Sequence, residues 1–200
     1  YMGDCVMAFW GAPVELADHA GLAVKTALEM TLAVRQVNAD HRARGVPEIG
    51  VGIGLNTGNM CVGDMGSNIR RSYTVIGDAV NLGSRLEGLC KVYGSDIVVS
   101  QSTRELTTGF VWQELDKVRV KGKSQAVSIY RPIGLAVALS PEQTDELHLW
   151  ELALAAYRAQ QWQQAEMHLL GLQKRFPDKP LYPLYACLLY TSPSPRDRTR

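Results

Sequence analysis

The sequence predicts an α+β domain, an antiparallel sheet with packed helices, followed by a small helical hairpin. Three observations predict it. Short apolar runs of strand length alternate with two long segments of helical period. Glycine turns break up the runs, so hairpins are mixed with crossover helices. After Pro132 the strand signals stop and the chain becomes rich in Ala, Leu and Gln at helical spacing.

The elements follow in order. Cys5 to Trp10 reads as a buried strand, entered through the turn Met2-Gly3-Asp4 and ended by Pro13. From Asp18 to Arg44 the positions Ala20, Ala23, Ala27, Met30, Val34 and Val37 recur at helical spacing, with Asp18 as N-cap and Gly45 as stop. Ile49 to Leu55 and Asn59 to Asp64 read as two strands of a hairpin closed by Asn56-Thr57-Gly58. Gly66 to Arg71 is a polar loop. Tyr73 to Ile76 is a strand, Asp78 to Tyr93 a helix, and Asp96 to Val99 a strand. Ser100 caps a short helix to Thr107, and Phe110–Val120 with Val127–Tyr130 form a last hairpin around Lys121-Gly122-Lys123.

Pro141 to Arg175 predicts two antiparallel helices joined at Ala159-Gln160-Gln161. Ala155, Tyr157, Trp162, Ala165 and Pro177 resemble one tetratricopeptide-type unit, which cannot form a solenoid alone. Thr191 to Arg200 has no apolar periodicity and reads as a disordered tail foreign to the gene, with an abrupt break after Cys187. The expected domains are thus 1–133, a linker at 134–140, a helical segment at 141–190 and the tail.

Composition narrows the function. A net charge of +1, from 21 basic and 20 acidic residues, provides no broad attraction to nucleic acid or an anionic membrane, so no nucleic-acid partner is expected. Cys5, Cys61, Cys90 and Cys187 form no C-x-x-C pair and no zinc spacing, which fits a reduced compartment. No apolar run approaches the roughly 20 residues of a spanning helix.

The run Tyr73 to Glu87 carries the most chemistry. A strand, a glycine turn and a helix present Asn81 and Arg85 one helical turn apart on one face. An amide and a guanidinium near a helix N-terminus suit a polyphosphate, although the same pair elsewhere is an ordinary solvated face. Gly50, Gly52, Gly54 and Gly58 do not fit the dinucleotide fingerprint, since a turn stands where its helix should begin. They read as positions where another backbone or a ligand approaches closely. Asp4 alone reads as a turn residue, and His19 as a helix-start or packing residue.

Together, residues 3–13, 52–58, 62–67 and 73–87, with Val120 to Lys123, resemble the catalytic domain of class III nucleotidyl cyclases over roughly 1–131. The resemblance implies a ferredoxin-like-derived sheet. It implies an adenylate cyclase that converts ATP to 3′,5′-cyclic AMP and pyrophosphate in signal transduction, using two Mg²⁺ or Mn²⁺ ions per site. It assigns Asp4 to the metals, Thr74 to the base, Asn81 to the ribose, Arg85 to the reacting phosphate and Lys121 to the terminal phosphates. The first metal aspartate and a base-selecting lysine would precede Tyr1. The site would lie between two subunits of a homodimer, with the loop from Gly63 to Arg71 at the contact. A cytoplasmic domain is expected, with a membrane or sensor segment upstream. Guanylate cyclase activity, or a silent cyclase-like domain that regulates its neighbours, remain the competing readings.

Overall fold

The computed structural model describes residues 4–66, 71–119 and 126–191. The expected tail beyond Thr191 and the Lys121 turn lie outside them, as do all but the ends of the Gly66–Arg71 loop. Two compact units divide the chain, Tyr1–Gly134 and Leu135–Arg200.

The first unit contains α1 (His19–Ala43), β1 (Ile53–Leu55), β2 (Cys61–Gly66), β3 (Arg71–Ile76), α2 (Asp78–Tyr93), β4 (Ile97–Ser100), α3 (Gln101–Glu105), β5 (Phe110–Val118) and β6 (Val127–Leu135). A four-stranded sheet has the order β1-β4-β6-β5, and β2 and β3 form a separate ribbon. The larger sheet is mixed. β1 runs parallel to β4 with Gly54 opposite Val98, while β4 is antiparallel to β6 with Val99 opposite Tyr130. Ile97, Val98, Val99 and Ser100 are all buried, as expected of a strand covered on both faces. α2 buries the stripe Leu82, Leu86, Cys90 and Tyr93.

Three expectations need correction. The hairpin between Ile49–Leu55 and Asn59–Asp64 does not form: β2 pairs with β3 and β1 with β4. The Asn56-Thr57-Gly58 segment is held instead by side-chain bonds to α2 and α3, so it leads away from β1 rather than folding back along it. The segment Cys5–Trp10 is not a strand; Cys5 makes a lone bridge and Val6 is exposed. An extended segment without a ladder neighbour has no partners for its backbone groups. Finally, the buried face of α1 is Ala20, Ala23, Val24, Ala27 and Thr31, with Met30 and Val37 exposed. A helix of 25 residues is about 37 Å long, far longer than the strands of three and four residues beside it. Its end is as expected: Gly45 takes φ +66°, and Val46 N–H donates to His41 O at 2.9 Å.

β6 runs to Leu135, past the expected strand end at Tyr130 and the composition shift after Pro132. Its pairing with β4 covers only Ile129 and Tyr130, so Pro132 gives up no donor to that ladder.

The second unit is α4 (Pro141–Arg158), α5 (Trp162–Arg175) and α6 (Leu181–Thr191), entered through a 3-10 turn at Ala136–Ala138. Ser140 and Gln143 form a reciprocal capping box with Pro141 in the first turn. Gln160 turns the chain at φ +57°. The third helix exceeds the expected hairpin and runs through Cys187 without a break. It forms because Tyr182 and Tyr185 bury against Trp150, with ring centroids 5.6 and 4.9 Å away. Among the described residues no helix is long and apolar enough to cross a membrane.

Candidate active site

Three predicted site residues share one strand–turn–helix. Thr74 sits half-buried on β3, opposite Gly63 of β2. The chain turns at Gly77, whose carbonyl accepts from the amides of Val80 and Asn81 at 3.2 and 3.3 Å. Asn81 is exposed in the first turn of α2, and Arg85 is half-buried one turn further on. The Nη1 of Arg85 is buried and has no hydrogen-bond partner among the described residues. A buried guanidinium N–H left open is costly, and the positive end of the helix dipole nearby adds no acceptor. An anion with several oxygens would satisfy both.

α2 is laid against β1 by very close contact. A Cβ on Gly54 would fall 2.2 Å from Gly83 O and 2.3 Å from Glu87 N. The reading of these glycines as points of backbone approach therefore holds at Gly54. One step along, Asn56 Nδ2 donates to Ala79 O at 2.8 Å. Asn56 Oδ1 in turn accepts from Ser102 Oγ at 3.2 Å, and Ser102 Oγ lies 2.9 Å from Thr57 O. Thr57 and Thr103 hydroxyls meet at 2.9 Å, and Ser100 caps α3 through Thr103 N–H. The sequence reading treated Asn56 only as a turn residue and missed this set. An Asn two residues beyond a glycine in helix contact was the available signal.

Asp4 is exposed in a turn. Its segment reaches β3 through Phe9, whose ring is 6.0 Å from that of Tyr73. No hydrogen bond or ion pair links Asp4 to Asn81 or Arg85 among the described residues, and Lys121 lies outside them. Among the described residues no group of three His, Cys, Asp or Glu is arranged to hold a metal. Asp4 has the hard oxygen donors that Mg²⁺ or Mn²⁺ prefers, but one carboxylate falls short of a two-ion site. His19 opens α1, with its Nδ1 3.0 Å from Leu16 O, as a helix-start residue would.

Beneath the site, burial pushes the Cys90 thiol up to about 11, and Glu87 and Asp96 add to the shift against opposing backbone hydrogen bonds. Burial also raises the Tyr93 phenol, as does its hydrogen bond to Asp116 Oδ2 at 2.7 Å. Both groups stay protonated and serve packing. All four cysteines are free.

Residues 1–131 match the family described as adenylate and guanylate cyclase catalytic domain. "Adenylate cyclase 1" of Rhizobium meliloti is 36% identical over 141 residues, covering 70% of this chain and 21% of that protein. An adenylate cyclase of Anabaena cylindrica is 41% identical over 135 residues, 65% of this chain and 26% of that protein. The chain thus spans about a fifth to a quarter of these relatives' length. The crystal structure of the adenylyl cyclase CyaB from P. aeruginosa superposes with a TM-score of 0.61 at 31% identity, covering 70% of this chain and 72% of that one. With the strand–turn–helix and its open guanidinium in place, these likenesses agree: the chain belongs to the class III adenylate and guanylate cyclase catalytic domain family.

Proposed function

We propose that the parent protein is an adenylate cyclase, forming 3′,5′-cyclic AMP and pyrophosphate from ATP for signalling. The observation that carries this reading is the buried, partnerless Nη1 of Arg85 beside the N-terminal turn of α2. In the reaction the ribose 3′-oxygen bonds to the α-phosphorus, the bond from that phosphorus to the β-phosphate oxygen breaks, and the hydroxyl proton leaves. Charge builds on the phosphoryl oxygens and the departing pyrophosphate. A guanidinium already fixed in position stabilises that charge most in the transition state. Asn81, exposed one turn earlier, orients the ribose by hydrogen bonding. Thr74 supplies a hydroxyl for base selection, and Lys121 is assigned to the terminal phosphates.

Two Mg²⁺ or Mn²⁺ ions per site are the cofactors this reading calls for, and Asp4 is the residue here that would bind them. Such ions acidify a bound hydroxyl and hold phosphates in line. The reading places the site across a homodimer, with Asp4 of one protomer facing Thr74, Asn81, Arg85 and Lys121 of the other. The three-helix unit is read as a tetratricopeptide-like packing element; its third helix buries tyrosines in the way a following repeat would.

The test is direct. Full-length protein with Mn²⁺ and either ATP or GTP is assayed for cyclic nucleotide and pyrophosphate. Cyclic AMP with stoichiometric pyrophosphate is expected. Preference for GTP would make it a guanylate cyclase, and nucleotide binding without pyrophosphate would leave a silent regulatory domain.

A further inference from the structure

We propose that Asn56 is a positioning residue for the cyclase reaction, holding the start of α2 so that Asn81 and Arg85 meet the nucleotide in register. The proposal rests on the cyclase reading above.

The geometry is specific. Ala79 is the second residue of α2, and its carbonyl already serves the helix ladder. The second lone pair takes the 2.8 Å bond from Asn56 Nδ2. Asn56 also reaches Gly83 one turn on, where an added Cβ would stand in ordinary contact with its own at 3.9 Å. The carbonyl of Ala79 requires the amide nitrogen to face it, which points Oδ1 at Ser102. The single Ser102 hydroxyl proton is shared between Oδ1 and the shorter contact to Thr57 O, so the serine ties both the amide and its loop to α3. Gly54 packs against Gly83 and Glu87 in the middle of α2, whereas Asn56 fixes its first turn. Asn81 and Arg85 stand two and six residues beyond the anchored carbonyl. A small rotation of α2 about the Gly54 contact would displace both, and a displacement of about 1 Å can cost a hundredfold in rate.

Asn56→Asp is nearly isosteric but turns an oxygen toward the Ala79 carbonyl, replacing attraction by repulsion. In the full-length protein it is expected to lower kcat for ATP by about ten- to a hundredfold while KM moves less than about threefold. Ser102→Ala, which removes only the brace, is expected to lower kcat by roughly threefold. Combined with Arg85→Ala, the Asn56→Asp loss should shrink well below its value in the parent, because the two residues act through one helix. A purely structural defect would instead multiply through unchanged.

Amide hydrogen exchange supplies a readout independent of turnover. Asn56→Asp should speed exchange at residues 81–85 while residues 88–93 keep their protection. Unchanged exchange at 81–85 overturns the inference, as does an unaltered kcat in an active parent. If the parent forms no cyclic nucleotide, the cyclase reading fails, and exchange still decides whether Asn56 anchors the helix. If Asn56→Asp does not fold, Ser102→Ala carries both measurements.

Discussion

Two charged groups, one in each unit, are treated in opposite ways. Glu146, 5% exposed in α4, receives both oxygens' worth of partners from within its own unit. Lys179 Nζ donates to them at 2.8 and 2.6 Å, and the buried Tyr182 hydroxyl donates to Oε1. Arg85 in α2 keeps a buried Nη1 open. The first arrangement closes on itself, as a charge committed to the fold must. The second is complete only with something added. An open buried atom is not by itself a sign of a ligand: Gln113 in the first unit and Trp162 in the second share the condition, and Arg131 Nε does so in a side chain with other interactions. The difference teaches that the charge of Glu146 is accounted for inside its own unit, whereas the open Nη1 of Arg85 is accounted for only if the reading proposed above is right.

The strongest way to break that contrast is Arg85→Ala in the full-length protein. It should lower cyclase turnover by on the order of a hundredfold, about 3 kcal/mol of barrier, with a smaller effect on ATP affinity. Melting temperature should barely move, because Nη1 has no hydrogen bond to lose among the described residues. A large fall in melting temperature would make Arg85 a structural residue after all. Mixing Asp4→Ala protomers with Arg85→Ala protomers tests the shared site further: one site per mixed dimer keeps both residues, so about a quarter of the parental activity should return. Two inactive variants that stay inactive together would place the whole site in one protomer.

Gly54→Ala comes next. The added carbon would overlap the backbone of Gly83 and Glu87, and backbone cannot rotate away as a flexible side chain can. Destabilisation of about 1 to 3 kcal/mol is expected in denaturant melts. Gly171, where an added Cβ meets nothing within 4 Å, is the control in the helical unit, and Gly171→Ala should be neutral or slightly stabilising. Equal effects at the two glycines would remove the argument that α2 is seated by close approach.

How much was legible beforehand follows the same division between local and long-range causes. α2 was readable to its ends because its signals are local: a glycine before it, a single apolar stripe and Gly94 after it in the left-handed conformation. Ser100 as a cap and Gly45 as a stop were readable for the same reason. The pairing of β1 was not. A glycine-rich strand ending in Asn-Thr-Gly has the local chemistry of a hairpin, and only contact with α2 and α3 excludes it. The exposed second half of α1 was equally hidden, because periodicity gives a face but not the length of sheet available to cover it. Among the candidate site residues, Asn81 and Arg85 stand out in one continuous motif, and Thr74 just before them is assigned by the resemblance alone. The anchoring of that motif by Asn56 and Ser102, 46 residues apart, has no sequence period to reveal it.

Glu146→Ala probes the closed charge. It leaves the fully buried Tyr182 hydroxyl without this acceptor, while Lys179, 37% exposed, can turn to water. A loss of about 2 kcal/mol is therefore expected, below that of a fully buried pair. Turnover measured well below the melting transition should stay at the parental level. Loss of turnover there would show that the paired charge does more than hold its helices, which is the outcome the contrast with Arg85 forbids.

The smallest effect concerns pH. The Cys90 thiol lies 3.7 to 3.8 Å from the carbonyls of Ile53, Leu86 and Asp96, and burial raises it from 9.0 to about 11. The unfolded chain releases this proton at lower pH than the folded one. Its contribution to stability is thus fully present below pH 9 and is lost as pH rises toward 11. Melting temperature should fall across that window, and the fall should be shallower in Cys90→Ala. Tyr93, raised in the same direction, keeps part of the slope in the variant. The comparison must use slopes, because removing the sulfur also leaves a cavity that lowers stability at every pH. Parallel slopes in parent and variant would show that Cys90 ionises as freely in the fold as outside it, against the burial that packs α2 onto β1.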